Sequence, residues 1–414
     1  MSKTADPARR AAWAALLTSL RDKQMLTIAD GLSAPEQARA ARLARLALRH
    51  MGRIDRVLGH FVSRKPSIEV HLMLRLGAAE LLADRAAAHG VVDAYVTLGK
   101  SMRSTTRAAG MLNAVLRKVA TKGPELWNEL PVQRLPPWLR KPLVKTYGGA
   151  AVTNIETAHQ DGAPIDLTLR DDTGIPGGNR LPTGSVRMQI GTQVSALPGY
   201  DAGHFWVQDA AAALPARCLG DVRDATVLDL CTAPGGKALQ LAAAGAHVIA
   251  LDRSKERLRR LRENLSRTGL RAQVVTADAR RWRGGPFDAI LLDAPCSATG
   301  TIRRHPELPF IRDANDIKDL VSLQSELIDA AVAQLRPGGR LVYCTCSLLP
   351  EEGEAQIEAA LSRHPRLKPV PVDPRTLGGT PDWVGAHGAL RLRPDFWPDL
   401  GGMDGFYIIA LEGR

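Results

Sequence analysis

The chain lacks any run of roughly 18–20 apolar residues, which argues against a membrane-spanning helix. It is poor in cysteine, with five in 414 residues. Two of the five, Cys344 and Cys346, sit only two apart, so they make no disulfide framework, and the usage fits a reducing, cytoplasmic setting. No Cys-x-x-Cys pair occurs and four convergent ligands are not apparent, so no metal is expected. The opening Met1-Ser-Lys-Thr-Ala-Asp-Pro7 has no apolar stretch, and no secretory leader is expected. Disorder as the main state is excluded by an apolar content of 45% beside 24% charged residues. At about 100–200 residues per domain the length predicts two or three domains.

Acidic residues are the minority, 43 against 55 Lys and Arg, for a net charge of +12. The imbalance is local. Residues 1–125 hold 21 Lys and Arg against 10 Asp and Glu, and the remainder 34 against 33. A basic module beside a near-neutral one suggests a polyanion-binding appendage on a separate working domain. Arg39, Arg42, Arg45, Arg49, Arg53 and Arg56 are spaced three or four apart. On a helix unbroken through Gly52 they form one stripe, able to neutralise the phosphates of RNA or DNA. For any one of these arginines alone, part of a solvated helix face is the more common reading.

Residues 8–122 read as all-α, with helices opening at Pro35 and Pro66, a last helix over 105–119, and a stop at Gly123-Pro124. Residues 126–205 read as a connector followed by a small α/β subdomain with strands at 165–169 and 186–190. From 206 to 414, strands at 226–230, 247–251, 272–276, 289–292, 340–344 and 406–411 alternate with helices at 237–243, 255–267, 317–335 and 351–362. That alternation predicts right-handed crossovers and a mostly parallel, doubly wound sheet. Its ligands are expected beyond the carboxyl ends of the strands.

The first of these strands runs into Cys231-Thr232-Ala233-Pro234-Gly235-Gly236-Lys237. The two glycines allow a tight turn and close backbone approach to a ligand. Neither a dinucleotide G-x-G-x-x-G nor a phosphate-binding G-x-x-x-x-G-K-[ST] is present, so the loop suits a nucleoside with no pyrophosphate. S-adenosylmethionine meets that description. Asp252 closes the second strand, where ribose hydroxyls bind in nucleotide-binding sheets. Asp278 follows the third and is placed for an adenine amino group. Any one Asp serves equally as a helix N-cap; three acidic strand ends in order with this loop argue for the site.

The fourth strand leads into Asp293-Ala-Pro-Cys296, and the fifth into Cys344-Thr-Cys346-Ser. Both sets fall on the ligand-bearing edge. A cysteine nucleophile needs its thiolate favoured by positive charge or a helix start, and Pro350-Glu351-Glu352 follows closely. Cys218 and Cys344 read as small buried hydrophobes, although Cys344 and Cys346 also suit a redox pair. Arg303 and Arg304, just after the Pro-Cys loop, are candidates for a phosphate or base contact, with a solvated loop nearly as good a reading.

Asp-Leu-Cys-Thr-Ala-Pro-Gly-Gly-Lys (229–237), Asp-Ala-Pro-Cys-Ser-Ala-Thr-Gly (293–300) and Thr-Cys-Ser-Leu-Leu-Pro-Glu-Glu (345–352) together resemble the Sun-type RNA cytosine-C5 methyltransferases. Phe205–Asp209 and Gly402–Tyr407 also look like segments of that family. Ala8–Trp13, Arg53–Leu58, Leu74–Leu81 and Met111–Arg117 resemble the NusB-like RNA-binding helical domain. The pairing is typical of the bacterial RsmB group, which modifies 16S ribosomal RNA. The resemblance implies an all-α NusB-like domain at 1–125 and a Rossmann-like class I methyltransferase domain at 206–414. It implies S-adenosylmethionine as cofactor, held by residues 231–237, Asp252, Asp278 and Asp293. Cys346 would be the nucleophile, Cys296 would assist product release, Asp293 would contact the cytosine, and Lys237 would lie at the active site. RNA would meet Arg42, Arg45, Arg49, Arg303 and Arg304, and a monomer is expected. Two other readings exist: a non-catalytic assembly factor, which predicts a damaged nucleophile or cofactor loop, and a methyltransferase for another atom, which has no need of Cys346 and Cys296.

Overall fold

The computed structural model describes residues 5–171 and 178–414. Its first part is helical: α1 (Pro7–Asp22), α2 (Ala34–Arg49), α3 (Met51–Gly59), α4 (Ile68–Leu82), α5 (Ala88–Lys100), α6 (Ala109–Glu129), α7 (Pro137–Tyr147) and α8 (Gly149–Asp161). Leucine and alanine at helical spacing give each helix an apolar stripe, and α4, apolar nearly all round, is the central one. It packs against α1, α2, α3, α5 and α6. Its one buried charge, Glu80, accepts from Arg9 Nε at 2.8 Å and Tyr95 OH at 2.6 Å, so the carboxylate is not left unsatisfied.

Two local expectations fail here. The helix that begins at Pro35 does not continue through Gly52, because His50 (φ −112°, ψ 12°) leaves the helical region and separates α2 from α3. The expected stop at Gly123-Pro124 does not occur, and α6 runs through Pro124 to Glu129. Gly123 explains this: a Cβ there would lie 2.9 Å from Leu82 Cδ2, so the helix is held against α4 by packing that outweighs the missing backbone bond.

A small antiparallel sheet follows: β1 (Ile165–Leu169), β2 (Asn179–Arg180), β3 (Val186–Met188) and β4 (Phe205–Val207), in the order β2-β3-β1-β4. Arg187 of β3 and Asp166 of β1 form a buried ion pair at 2.7 Å.

The remaining elements are α9 (Leu214–Arg217), β5 (Thr226–Leu230), α10 (Gly236–Ala243), β6 (His247–Asp252), α11 (Lys255–Thr268), β7 (Gln273–Thr276), β8 (Phe287–Asp293), α12 (Leu308–Ile311), α13 (Ala314–Val332), β9 (Leu335–Thr345), α14 (Glu354–Arg363), β10 (Leu367–Val370), β11 (Leu390–Leu392) and β12 (Phe406–Gly413). The strands form one sheet in the order β10-β12-β9-β8-β5-β6-β7, with β11 added on β12. Strands β5 to β9 pair in parallel, and β12 runs antiparallel between β9 and β10. Apolar clusters cover both faces, as expected for a doubly wound sheet. The chain switches direction of winding at β5, which has β6 on one side and β8 on the other.

The described chain divides into two compact units, residues 1–161 with 304–313, and residues 162–303 with 314–414. The stretch read as connector and subdomain, 126–205, is thus shared between them at 161/162. Segment 304–313, although it follows β8, packs with the helices. Phe310 lies against the helical core, Trp138 Nε1 donates to Pro309 O at 3.2 Å, and Leu26 N donates to the buried Glu307 at 3.3 Å. Among the described residues no helix is long and apolar enough to cross a membrane.

Candidate active site

The site lies along the carboxyl ends of β5, β6, β8 and β9. Beyond β5 the loop 231–235 is held in an unusual shape. Cys231 is left-handed at φ 59° and Gly235 at φ 106°, and a Cβ on Gly235 would fall 2.3 Å from Leu261 Cδ1. Only glycine fits there. Thr232 bonds Asp229, and Asp252 accepts from Ala233 N at 3.2 Å and Ser254 N at 2.8 Å. Arg257, which the sequence did not single out, bonds Ala233 O and lies 3.6 Å from Asp252. A pocket of about 100 Å³ is lined by Cys231, Asp252, Ala277, Asp278 and Pro295. Asp278 is partly exposed and paired with Arg280 at 2.6 Å, which holds its carboxyl down at about 2.

Asp229 differs from these. It is fully buried, and its Oδ1 has no hydrogen-bond partner. Burial pushes its pKa up to about 7; the Thr232 hydrogen bond opposes the rise and Asp293 adds to it. A buried acceptor without a partner is a feature that a donor group of a bound ligand would satisfy.

At the end of β8, Asp293 Oδ2 takes a 2.7 Å ion pair from Lys237 Nζ, and Cys344 Sγ stands 3.5 Å from Oδ1. The sheet register places Asp293 and Cys344 side by side, since the two pair across β8 and β9. Burial would lower the Lys237 ammonium, yet Asp293 beside it keeps its pKa above the ordinary lysine value. Its Nζ also lies 5.4 Å from the Phe406 ring centre. The sulfurs of Cys296 and Cys346 are 3.4 Å apart. The hydrogen bond with Cys346, then burial, raises the Cys296 pKa well above that of an ordinary thiol. Cys344 is fully buried. The loop carrying Cys296 is pinned at Gly300, whose N donates to Cys346 O at 2.9 Å and whose O accepts from Gly405 N at 2.8 Å.

This geometry brings Lys237, Asp293, Cys296 and Cys346 together, with Cys231–Gly236 and Asp252 alongside. Arg303 is not available to join it. Arg303 is completely buried, with Nη2 2.6 Å from Asp209 and Nε 2.7 Å from Asp404. A guanidinium committed to two buried carboxylates is not free for phosphate, so the expected RNA contact at Arg303 is corrected. Arg304 belongs to the segment packed with the helices. Arg42 is exposed and paired with Asp84 at 2.8 Å, and Arg45 is half-buried. Arg49 is largely shielded; burial, then Arg45, lowers its pKa to about 10, while Glu307 opposes the shift. The six-arginine stripe is therefore not one solvated face. Arg53 is buried too, 3.9 Å above the Trp127 ring.

Known proteins bear on this arrangement directly. Residues 216–412 match the family model for the 16S rRNA methyltransferase RsmB/F, and residues 6–121 match the NusB family. Ribosomal RNA small subunit methyltransferase B of Vibrio vulnificus is 35% identical over 405 residues, covering 88% of each chain. The chain belongs to the RsmB/F family of ribosomal RNA methyltransferases. The same-named protein of Sodalis glossinidius is 36% identical over 320 residues, 72% of this chain and 73% of that one. Among solved structures, PH0851 superposes with a TM-score of 0.76 at 23% identity, with both chains covered in full. A methyltransferase homolog from Pyrococcus horikoshii gives 0.55 at 26% identity, over 66% of this chain and 94% of that one. An all-α NusB domain followed by a mostly parallel methyltransferase sheet is thus the fold of an RsmB/F member. In the second unit, two structural features were not legible in sequence. Asp209 and Asp404 lie within segments that looked family-like, but nothing in sequence joined them to Arg303. Glu352 marked a helix start, with no sign that its carboxylate reaches the cysteine loops.

Proposed function

We propose that this chain methylates C5 of a cytosine in RNA, 16S ribosomal RNA being the expected substrate, with Cys346 as nucleophile. The observation that carries the reading is the 3.4 Å approach of the Cys296 and Cys346 sulfurs beside the Lys237–Asp293 pair. C5 of cytosine is a weak nucleophile, so catalysis needs a covalent detour. Cys346 thiolate adds at C6, which breaks the aromatic ring and raises electron density at C5. The proton shared between Lys237 and Asp293 meets N3 and stabilises the charge that develops there. S-adenosylmethionine, when bound, supplies an electrophilic methyl group to C5. Residues 231–236, Asp252 and the unsatisfied Asp229 fit that cofactor. The C5 proton is then lost to water, its electron pair closes the C5–C6 double bond, and Cys346 leaves with the pair of the C6–S bond, Cys296 assisting this release. The target base must leave its stack to reach the sulfurs. Arg42 and Arg45 of α2 are the phosphate contacts we assign to the helical unit. The reading places the enzyme in the cytoplasm, acting as a monomer.

The test is methyl transfer from labelled S-adenosylmethionine to deproteinised 16S RNA that lacks the modification, run beside Cys346→Ala and mapped by bisulfite sequencing. Label at one cytosine C5, absent with the variant, is expected. Label that survives in C346A would refute the nucleophile and point to transfer to another atom.

A further inference from the structure

Glu352 is completely buried, and among the described residues no Lys or Arg forms an ion pair with it. Its carboxylate is instead filled by neutral donors from two loops. Oε1 accepts from Ser297 N at 2.8 Å and Gln324 Nε2 at 3.0 Å. Oε2 accepts from Ser347 Oγ at 2.6 Å and from Ser297 Oγ. That fills roughly the four acceptor sites a carboxylate offers. Ser297 follows Cys296 in the chain, and Ser347 follows Cys346. Gln324 Nε2 also donates to Pro295 O at 2.9 Å, so the residues on both sides of Cys296 are held by this one cluster. The backbone of Glu352 is itself fixed to β9, its carbonyl accepting from Tyr343 OH at 2.9 Å and Thr345 Oγ1 at 3.1 Å. A buried carboxylate is costly unless its hydrogen bonds are satisfied, and here every bond goes to the flanks of a cysteine or to the helix that braces them.

We propose that Glu352 is a positioning residue: by fastening the residues next to both cysteines it sets the separation of the two sulfurs. It touches neither sulfur. The role rests on the reading of Cys346 and Cys296 given above only for its catalytic consequence, since the geometry stands without it. An amide in place of the carboxylate could keep the arrangement. Its oxygen would accept from Ser297 N and Gln324, and its NH2 would donate to the two serine hydroxyls. The positioning therefore needs the hydrogen bonds and not the charge.

The test uses the full chain and the variants Glu352→Gln, Glu352→Ala and Ser297→Ala. Two readings are taken. The first needs no RNA: treatment with diamide, which takes two electrons and two protons from the thiols as the Cys296–Cys346 disulfide forms, with the cross-link followed by peptide mass spectrometry. The second is single-turnover formation and release of the RNA adduct, with kcat and KM for RNA. E352Q should stay within about fivefold of the native rates, the size of one weakened hydrogen bond. E352A should lose about 10²-fold in cross-linking and in kcat, with KM for RNA unchanged, as misplaced reacting groups do. S297A should fall between them. Native rates in folded E352A, or E352Q as slow as E352A, would overturn the proposal. If E352A does not fold, S297A decides, and native cross-linking there would equally overturn it. Cross-linking that follows this order in a protein without methyl transfer would retain the positioning role and sink the proposed reaction instead.

Discussion

Replacing Arg303 with methionine separates two readings of the same residue. Its guanidinium is completely buried and holds Asp209 at 2.6 Å and Asp404 at 2.7 Å, with Gly401 O at 2.9 Å. Both carboxylates are themselves buried. Asp209 also accepts from Ala211 N and Asp404 N, so neither acid can turn to solvent without dismantling the loop before β12. Arg303→Met removes the cation and leaves two acids facing each other. Breaking a buried ion pair from one side costs about 3–5 kcal/mol. In a unit of about 240 residues each kcal/mol lowers Tm by roughly 2–4 °C, so a fall of roughly 6–20 °C is expected. Scanning calorimetry of the full chain reads it. The triple variant Arg303→Met with Asp209→Asn and Asp404→Asn should recover part of the loss, because the stranded charges are gone. A phosphate-binding Arg303 predicts the opposite pattern. Tm would stay within about 2 °C, and the slope of log affinity for RNA against log salt would shrink by about 0.7, the share of one phosphate on a single strand. That outcome would refute the buried clamp.

Three further expectations follow from the same protein. Asp229, with a folded pKa near 7 against an ordinary 3.8, keeps a proton between those values that the unfolded chain has released. Stability of the ligand-free protein should therefore fall as pH rises from about 4 to 7, by about 4 kcal/mol from this group, and Asp229→Asn should flatten that part of the curve; parallel native and variant denaturation curves would contradict it. Gly235→Ala forces a side chain into φ 106° and against Leu261, so a destabilisation of about 1–3 kcal/mol is expected, with weaker S-adenosylmethionine binding by calorimetry. Arg42→Glu with Arg45→Glu should weaken RNA binding and lower the salt slope by about 0.7 for each phosphate no longer neutralised, with Tm little changed. An unaltered slope would remove α2 from the RNA-binding surface.

The fold was legible wherever the signal was local. Alternating apolar strands and helices after residue 206 matched the parallel sheet closely, because a strand buried on both faces must be apolar along its length. The loop 231–237 was legible for the same reason: a positive φ at Gly235 is a property of a single residue. Asp293 and Cys346 stood out in sequence because each lies at or just past the carboxyl end of a strand, Asp293 closing β8 and Cys346 following β9. What brings them together is register, with Asp293 opposite Cys344 and Ala294 N bonded to Cys344 O at 3.0 Å. The helix end at Gly123-Pro124 was misread because its cause is tertiary. Gly123 lies against Leu82 and Val57, residues of α4 and α3 far off in sequence, and that packing carries α6 through the proline.

Charge was the least transferable signal, and the arginines show why. Spacing fixes the angular position of a side chain on a helix, but not what stands opposite it. Arg42 and Arg49 sit on one helix, yet Arg42 is exposed while Arg49 is shielded and feels the charge of Glu307, contributed by a segment far later in the chain. Arg303 and Arg304 are neighbours in sequence but belong to different units, one committed to a buried acid clamp and the other part of the segment that packs with the helices. Transferring a charge from water into the interior is favourable only where partners await it. Those partners, Asp209 and Asp404, stand 94 residues before and 101 residues after Arg303, beyond the reach of any periodicity. A net charge of +12 therefore reports the sum of solvated and buried cations together. Only the solvated fraction can release counterions on meeting RNA, which makes the salt slope, and not the arginine count, the quantity that measures the RNA-binding face.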